Sequence, residues 1–547
     1  MRAVLVGCAI ASAIAAHPAA GAPPATIPVD DPLDVLWTHR LDFAAGGAPL
    51  VTIRLMEGQR EIAFRATGPG RLRLRGGASL RVSAGQRFTV RERNASPARL
   101  SYHPLLGDAA YADRARLDAV RRLWEERGVI VRQRLTGGVY GISGRVVDNR
   151  RLVLLADGDG TQRFARDFAE DALARDGART GVFTELVARP AGRLEVRDAR
   201  GRLAGTADAL VTAELDGASG IVVARVEHDV GYASHGFSDR TYRGRLHVTV
   251  DSSGRLAAVL AITLEELLRG LVPSEIPASA PREALKAQAV TARSNVLAQI
   301  GTRHLDDPYV LCSEVHCQAY RGEGAQTPAT DSAVRSTAGE ALFGADRVLV
   351  DTVYSAVCGG HGEDNDAVWP TLPNPSLRGR PDTDPAESAG WEGGLANEQR
   401  LRAFLTEGPA GWCARARGLR KDRYRWERRF GAGELDAIGL RLGIGPVRGI
   451  EVTNRGVSGR ARAVVVTGAD GHSVVEGELR IRRLLSNLPS AMFVVDRDAG
   501  GLVMRGGGWG HGVGMCQWGA IARAEAGQDY RAILRAYYVG AEVAKIY

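Results

Sequence analysis

Residues 264–300, LEELLRGLVPSEIPASAPREALKAQAVTARSNVLAQI, constrain this chain more than any other stretch. The second half repeats apolar residues with helical period, placing Leu285, Ala289, Ala292, Val296 and Ile300 on one face. Pro281 fits a first helical turn, where its missing N–H costs no intrahelical bond, and Glu283 suits the positive end of a helix. LEELLRG reads as a shorter helix. Between the two lies VPSEIPASAP, in which Pro273 and Pro277 flank Glu275 and discourage continued helix. The spacing predicts a carboxylate on a stiff corner. By residue type alone a loop glutamate is a solvated charge; what surrounds this one in the sequence argues for more.

Three motifs follow in order: CSEVHCQAYRG at 312–322, VYSAVCGGHGEDNDAVWP at 353–370 and GWGHGVGMCQWGAIARAEAG at 508–527, the last succeeded by YRAILRAYYVG. Together with the corner they resemble, over roughly residues 240–547, the stage II sporulation protein D / LytB family, also called amidase enhancers. That resemblance implies a lytic transglycosylase acting on peptidoglycan, with Glu275 as its single catalytic acid and base. Such chemistry needs one carboxyl group: it protonates the leaving glycosidic oxygen, then takes the proton of the muramic C6 hydroxyl as a 1,6-anhydro ring closes. Hydrolysis would need a second carboxylate. A raised pKa suits the role, and Leu271, Val272 and Ile276 are apolar neighbours able to supply it.

The stretch GGGWGHGVGMCQWGA, 506–520, is too rich in glycine for regular structure before a helix starting near Gln517. It has no Lys-Ser/Thr pair, so it is not a phosphate loop. Trp509 and Trp518 offer flat faces to sugar rings and His511 a titratable donor; the same residues also suit a tight turn with two core tryptophans. In the family this loop lies beside the groove; Gly359, Gly360 and Trp369, with Asp364 and Asp366, suit a further wall of it, and the two acids equally suit solvent-facing turn positions. Substrate-binding candidates are thus Gly359, Gly360, Trp509, His511, Gln517 and Trp518, joined by Gln288 and Arg293 of the long helix. These last two also fit a supporting role or an exposed helix face. Cys358 and His361 depart from the commoner family form of their loop.

Besides Cys8, the chain holds Cys312, Cys317, Cys358, Cys413 and Cys516. Their odd number leaves at least one thiol free or ligated in an exported protein. Some family members bind zinc through a histidine and two cysteines, which map to His304, Cys312 and Cys317. The alternative pairs Cys312 with Cys317 and Cys358 with Cys413 as disulfides, leaving Cys516. The glutamate mechanism itself requires no cofactor.

Residues 1–22 read as a secretory signal, with Arg2 before an apolar run and small residues through Ala22. LVGC superficially resembles a lipidation box at Cys8. The mature protein is expected to be secreted or periplasmic and associated with the wall, with no integral membrane segment. Short alternating runs at 23–107 (LVTIRL, EIAFRA, RLRLR) predict a β-rich module. Residues 108–190 combine two amphipathic helices, YADRARLDAVRRLWEERG and RDFAEDALARDGA, with strands, as a small α+β module loosely resembling SPOR domains. A third part, 191–547, opens with more strands and carries the family-like core from 240. The fold class is therefore α+β: β-rich N-terminal modules packed on a mixed α/β C-terminal domain with a glycan-binding groove.

The net charge of +8 suits an anionic polymer. The cations are dispersed and no nucleic-acid motif is present, so nucleic acid is not the expected partner. Peptidoglycan glycan strands are, and a cell-wall amidase is a further partner under the alternative reading, a non-catalytic wall-binding enhancer of an N-acetylmuramoyl-L-alanine amidase. A metal-dependent hydrolase built on His304, Cys312 and Cys317 is a third class; the lack of an evident base beside them weighs against it.

Overall fold

The computed structural model describes residues 31–547 apart from 45–46, 231–234 and 315–316. The expected signal segment, with Cys8, lies outside the described residues. The fold mixes α and β, and among the described residues no helix is long and apolar enough to cross a membrane.

Alternation of buried and half-buried residues along Pro49–Gln59 marks a strand covered on one face. It pairs antiparallel with Leu256–Thr263, whose near-continuous burial reflects cover on both faces. The sheet continues through Arg245–Val250, Leu210–Leu215, Gly70–Leu74 and Ser79–Val82. A second sheet runs Leu203–Asp208, Ala191–Asp198, Arg87–Ser96, Glu61–Ala66, Ile221–His228 and Gly236–Tyr242. Both sheets thus draw strands from 49–96 and from 191–263. The sequence reading assigned those stretches to separate modules, but their alternating patterns carry no information on long-range pairing, and they close around one core. The expected α+β insert forms its own four-stranded sheet, with Gly181–Ala188, Arg99–Ala110, Arg151–Ala156 and Val131–Thr136 in that order. The helices Arg114–Glu126 and Gln162–Asp176 carry the insert's apolar core with it.

Thr263 ends the doubly covered strand and caps the next helix, Leu264–Glu275, accepting from the Glu266 N–H. This corner helix runs further than its sequence suggests. Pro273 stands inside its last turn, Ser274 Oγ donates to the Gly270 carbonyl at 2.7 Å, and the Ile276 N–H reaches Val272 at 3.1 Å. A proline there removes only one bond near the end, so the helix stops at Glu275 rather than at Gly270.

The following helix, Arg282–Gln299, is capped by Pro281. The expected apolar face is buried, but so is the rest: from Ala284 to Ile300 only Lys286 is half-buried. Leu285, Ala289, Ala292 and Val296 join the core under the two sheets, whereas Ala287 and Val290 join a second core with Met515, Cys516 and Ile533. Most of its buried polar atoms have partners, Gln288 Nε2 and Gln299 Oε1 being exceptions. Arg293, fully buried, donates to the Glu265 carboxylate at 2.7 and 2.8 Å and to the Glu340 carbonyl at 3.0 Å.

Residues 425–507 build one more core of their own, around Trp426, Phe430, Ile438, Val464, Phe493 and Met504, between two three-stranded sheets.

Candidate functional site

Glu275 is the last residue of the corner helix and lies in the wall of a cleft of about 1320 Å³. Its carboxyl group meets the backbone N–H of Ala319 and the hydroxyl of Tyr354. Burial pushes the carboxyl up to about 7, and the Ala319 N–H, Tyr354 and Arg321 only partly oppose it. Gln517 fixes the corner from the opposite side, donating Nε2 to the Glu275 carbonyl at 2.9 Å and to Gln288 Oε1 at 3.2 Å. Tyr354 also donates to Gln318 Oε1 at 3.0 Å, and Gln318 Nε2 donates to Asn295 at 2.9 Å. The carboxyl group is held by a hydrogen-bonded layer spanning four separate stretches of chain.

That layer exists because Tyr354–Ser355 pairs in parallel with Met515–Cys516. The pairing brings the glycine-rich loop against the corner and sets Trp509, His511, Gln517 and Trp369 in the same cleft as Glu275. Arg423 stacks over the Trp509 ring at 4.7 Å. His511 lies edge-on to Trp369, the ring centroids 5.0 Å apart, and accepts from the Val513 N–H at 3.1 Å. Burial, aided by Arg460 and Arg482, pulls His511 down to about 3, so the ring is neutral. It also hydrogen-bonds to the Tyr354 backbone, which makes it a brace between the loop and the Tyr354 strand.

Other sequence candidates lie elsewhere. Gln288 is buried behind the corner, one residue deep through Gln517. Arg293 is sealed in its ion pair with Glu265, outside the cleft. Gly359 and Gly360, at φ of 77° and 95°, pack the loop against its neighbours: a Cβ on Gly359 would stand 2.9 Å from the Gly508 nitrogen. Trp518 packs between the two cores flanking the long helix. Asp364 receives the Gly379 N–H at 2.7 Å and Asp366 pairs with Arg378.

Sequence reading missed Tyr354 and the Ala319 amide. Tyr354 stands inside a motif that had been singled out, but nothing local shows that it will face a glutamate 79 positions earlier. Also unforeseen were Arg480 and Arg483, exposed residues of the cleft wall on the helix Glu478–Leu484.

Cys312 and Cys317 are joined as a disulfide, their Cα atoms 5.5 Å apart. His304 Nε2 is 3.1 Å from Cys317 Sγ, and the donor atoms of all three residues lie within 4.8 Å of one another. The expected Cys358–Cys413 disulfide is not formed: the sulfurs are 3.8 Å apart and both thiols are free, as is Cys516.

Comparison with known proteins locates the similarity. Residues 252–343 match the family model of the SpoIID domain, described as stage II sporulation protein, and 363–514 match a domain of unknown function. An uncharacterized protein of Brachyspira hyodysenteriae (strain ATCC 49526 / WA1) is 26% identical over 289 residues, 53% of this chain and 68% of that protein. The amidase enhancer of Bacillus subtilis (strain 168) is 29% identical over 290 residues, 50% of this chain but only 39% of that protein. Stage II sporulation protein D of the same organism is 26% identical over 300 residues, 52% of this chain and 75% of its own length.

Proposed function

Since the chain belongs to the stage II sporulation protein D / LytB family, we propose that it cleaves peptidoglycan glycan strands as a lytic transglycosylase, outside the cytoplasm and at the cell wall. The observation that carries this reading is Glu275: a single carboxyl group pushed up to about 7, in the wall of a cleft that also holds Trp369 and Trp509. A carboxyl group poised near neutrality can give a proton and take one back without a large penalty in either direction. Glu275 protonates the glycosidic oxygen as the bond to the anomeric carbon breaks. The resulting carboxylate, stabilised by the Ala319 N–H and the Tyr354 hydroxyl, then accepts the C6 hydroxyl proton as that oxygen closes the anhydro ring. Trp369 and Trp509 supply faces for sugar rings. Arg480 and Arg483 suit the lactyl or peptide carboxylates of the strand.

Zinc belongs to this reading as a structural supplement. Two thiolates and an imidazole within 4.8 Å are a suitable donor set, once the sulfurs are reduced. His304, Cys312 and Cys317 would hold the ion, which would supply a fixed tether for the segment leading to Ala319 rather than any step at the glycosidic bond.

The test is mass spectrometry of products from peptide-bearing and denuded glycan strands incubated with wild type and Glu275→Gln. Anhydro-muramic ends formed by wild type alone are expected. Reducing ends would instead indicate hydrolysis and a second carboxylate. A second reading, non-catalytic enhancement of a wall amidase, has in its favour the relative named amidase enhancer. It requires that neither substrate is cleaved and that wall binding survives Glu275→Gln.

A further inference from the structure

Behind the Tyr354 strand, away from Glu275, three loops bring together Cys358, Cys413 and Cys516, each no more than 2% exposed. Their convergence is built. Gly360 and Gly411 approach so closely that a Cβ on Gly411 would stand 2.5 Å from the Gly360 Cα, which places the cysteines two positions from each glycine side by side. Asp382 is stitched between them by two backbone bonds: its N–H donates to the Gly360 carbonyl at 2.9 Å, and its carbonyl accepts from Trp412 at 2.7 Å. Cys516 arrives through the parallel pair of Ser355 with Cys516.

Backbone donors face the sulfurs, while burial and the neighbouring sulfurs keep Cys358 and Cys516 protonated in the absence of a metal. Cys516 Sγ accepts from the backbone N–H groups of Cys358 at 3.1 Å and Gly519 at 3.3 Å, and it caps the helix Gln517–Glu525. Cys358 Sγ accepts from the Gly360 N–H at 3.4 Å. Those donors and the helix N-terminus are placed to stabilise thiolates once a cation displaces the protons. All three sulfurs lie within 4.8 Å of one another, and Cys358 and Cys413 are 3.8 Å apart. Metal–sulfur bonds of about 2.3 Å in a tetrahedron set sulfurs about 3.8 Å apart. The Asp382 Oδ2 atom is 3.2 Å from Cys358 Sγ, and Arg523 neutralises that carboxylate through Oδ1 at 2.9 Å.

We propose that Cys358, Cys413 and Cys516 bind a thiophilic divalent cation of zinc's type, with Asp382 beside the site at Cys358. Binding displaces the thiol protons to solvent, so that thiolates replace three closely packed thiols. Three thiolates and a divalent ion leave one negative charge, offset by the N–H donors and the helix N-terminus. The site is separate from His304, Cys312 and Cys317, and it ties together the loops on which Tyr354 and Gln517 depend. It therefore does not rest on the transglycosylase reading.

The test uses the full chain carrying Cys312→Ser and Cys317→Ser, which silences the other sulfur cluster and leaves this one untouched. Purified under reducing conditions, dialysed against zinc and then freed of excess metal, this variant is expected to retain about one zinc per chain. X-ray absorption at the zinc edge should show three sulfurs completed by a lighter ligand atom. Cobalt in place of zinc should give thiolate-to-metal charge-transfer absorption. Adding Cys413→Ser should abolish retention. If that variant does not fold, the absorption measurements on the Cys312→Ser/Cys317→Ser protein decide alone. The proposal is overturned if that protein retains no zinc, if its zinc shows fewer than three sulfurs, or if peptide mapping finds a Cys358–Cys413 disulfide.

Discussion

Glu275 and Glu363 are both glutamates whose carboxyl groups burial raises above the ordinary range, yet their surroundings make them different objects. Glu363 is 1% exposed and saturated: it receives the Ser458 hydroxyl at 2.7 Å and the Asp364 N–H at 2.8 Å, with Arg460 behind. A Cβ on Gly456 would meet its Oε2 atom at 2.3 Å, so no room is left for a ligand. Glu275 has fewer partners and an open side facing the cleft. A perturbed carboxyl group points to chemistry only where something can reach it. Glu363 is a strut for the turn around Ser458 and Arg460, and Arg460 in turn holds the carbonyls of Cys358 and Gly510.

The sharpest way to break this contrast is to neutralise each acid. Glu275→Gln keeps the shape and removes the transferable proton, so turnover on glycan strands should fall by about 10²–10⁴-fold, the usual contribution of a general acid or base. Its urea midpoint should not fall. Surviving turnover would move the acid elsewhere.

The pH dependence separates the two states of Glu275. Turnover needs the protonated form first, so it should be level below about pH 7 and fall about tenfold per unit above it. Stability has a definite sign too. A folded-state pKa above the unfolded value means that the group stabilises the fold fully at low pH, and that this contribution is lost as pH rises from the unfolded value through about 7. The loss is at most about 3 kcal/mol, from 1.36 kcal/mol per unit. Wild type should therefore lose stability relative to Glu275→Gln between about pH 4 and 7 in denaturant titrations. Parallel profiles would show that the carboxyl group is not desolvated.

Glu363→Gln should show the reverse pattern. Weakening hydrogen bonds to a buried carboxyl group costs about 1–3 kcal/mol, visible as a lower urea midpoint. Turnover per folded molecule should change by no more than about threefold, under 1 kcal/mol at 1.36 kcal/mol per factor of ten. A larger loss of turnover with unchanged stability would give Glu363 a role that its sealed position denies.

How much of this could be read beforehand follows from the range of the interactions. The corner was legible only in part: Pro277 and the period of 285–300 are local signals that held, whereas Pro273 stands inside the helix it is expected to end, and the strands of 49–96 were legible because alternation is local too. The helix Pro32–Thr38 was missed although Asp31 caps it and Pro32 starts it, a signal that went unweighed beside the strands. The burial of Arg293 was illegible: an arginine on an amphipathic helix reads as exposed until Glu265 and the Glu340 carbonyl are known to meet it. The layer behind Glu275 depends on one parallel pairing across 161 positions, and the meeting of three cysteines on a glycine contact between two loops. Spacing in sequence encodes neither.

Tyr354 gives the smallest and most discriminating test. Its hydroxyl has one proton and two claimants, Gln318 Oε1 at 3.0 Å and the Glu275 carboxyl group. When Glu275 is protonated, the phenol can donate to Gln318 and accept from the acid; once Glu275 ionises, the proton is better used on the carboxylate. The hydroxyl thus favours the ionised form and holds the pKa of Glu275 below where burial alone would leave it. Tyr354→Phe should raise that pKa, moving the alkaline limb of the turnover profile up by about one unit or less, as expected for one hydrogen bond worth about 1 kcal/mol. Turnover at low pH, where Glu275 is protonated in both proteins, should drop only by several-fold. A uniform loss with an unmoved limb would mean that Tyr354 merely supports the fold of the cleft wall. A shifted limb with near-normal acid-side turnover would tie the phenol to the proton on Glu275, the difference between this glutamate and the sealed Glu363.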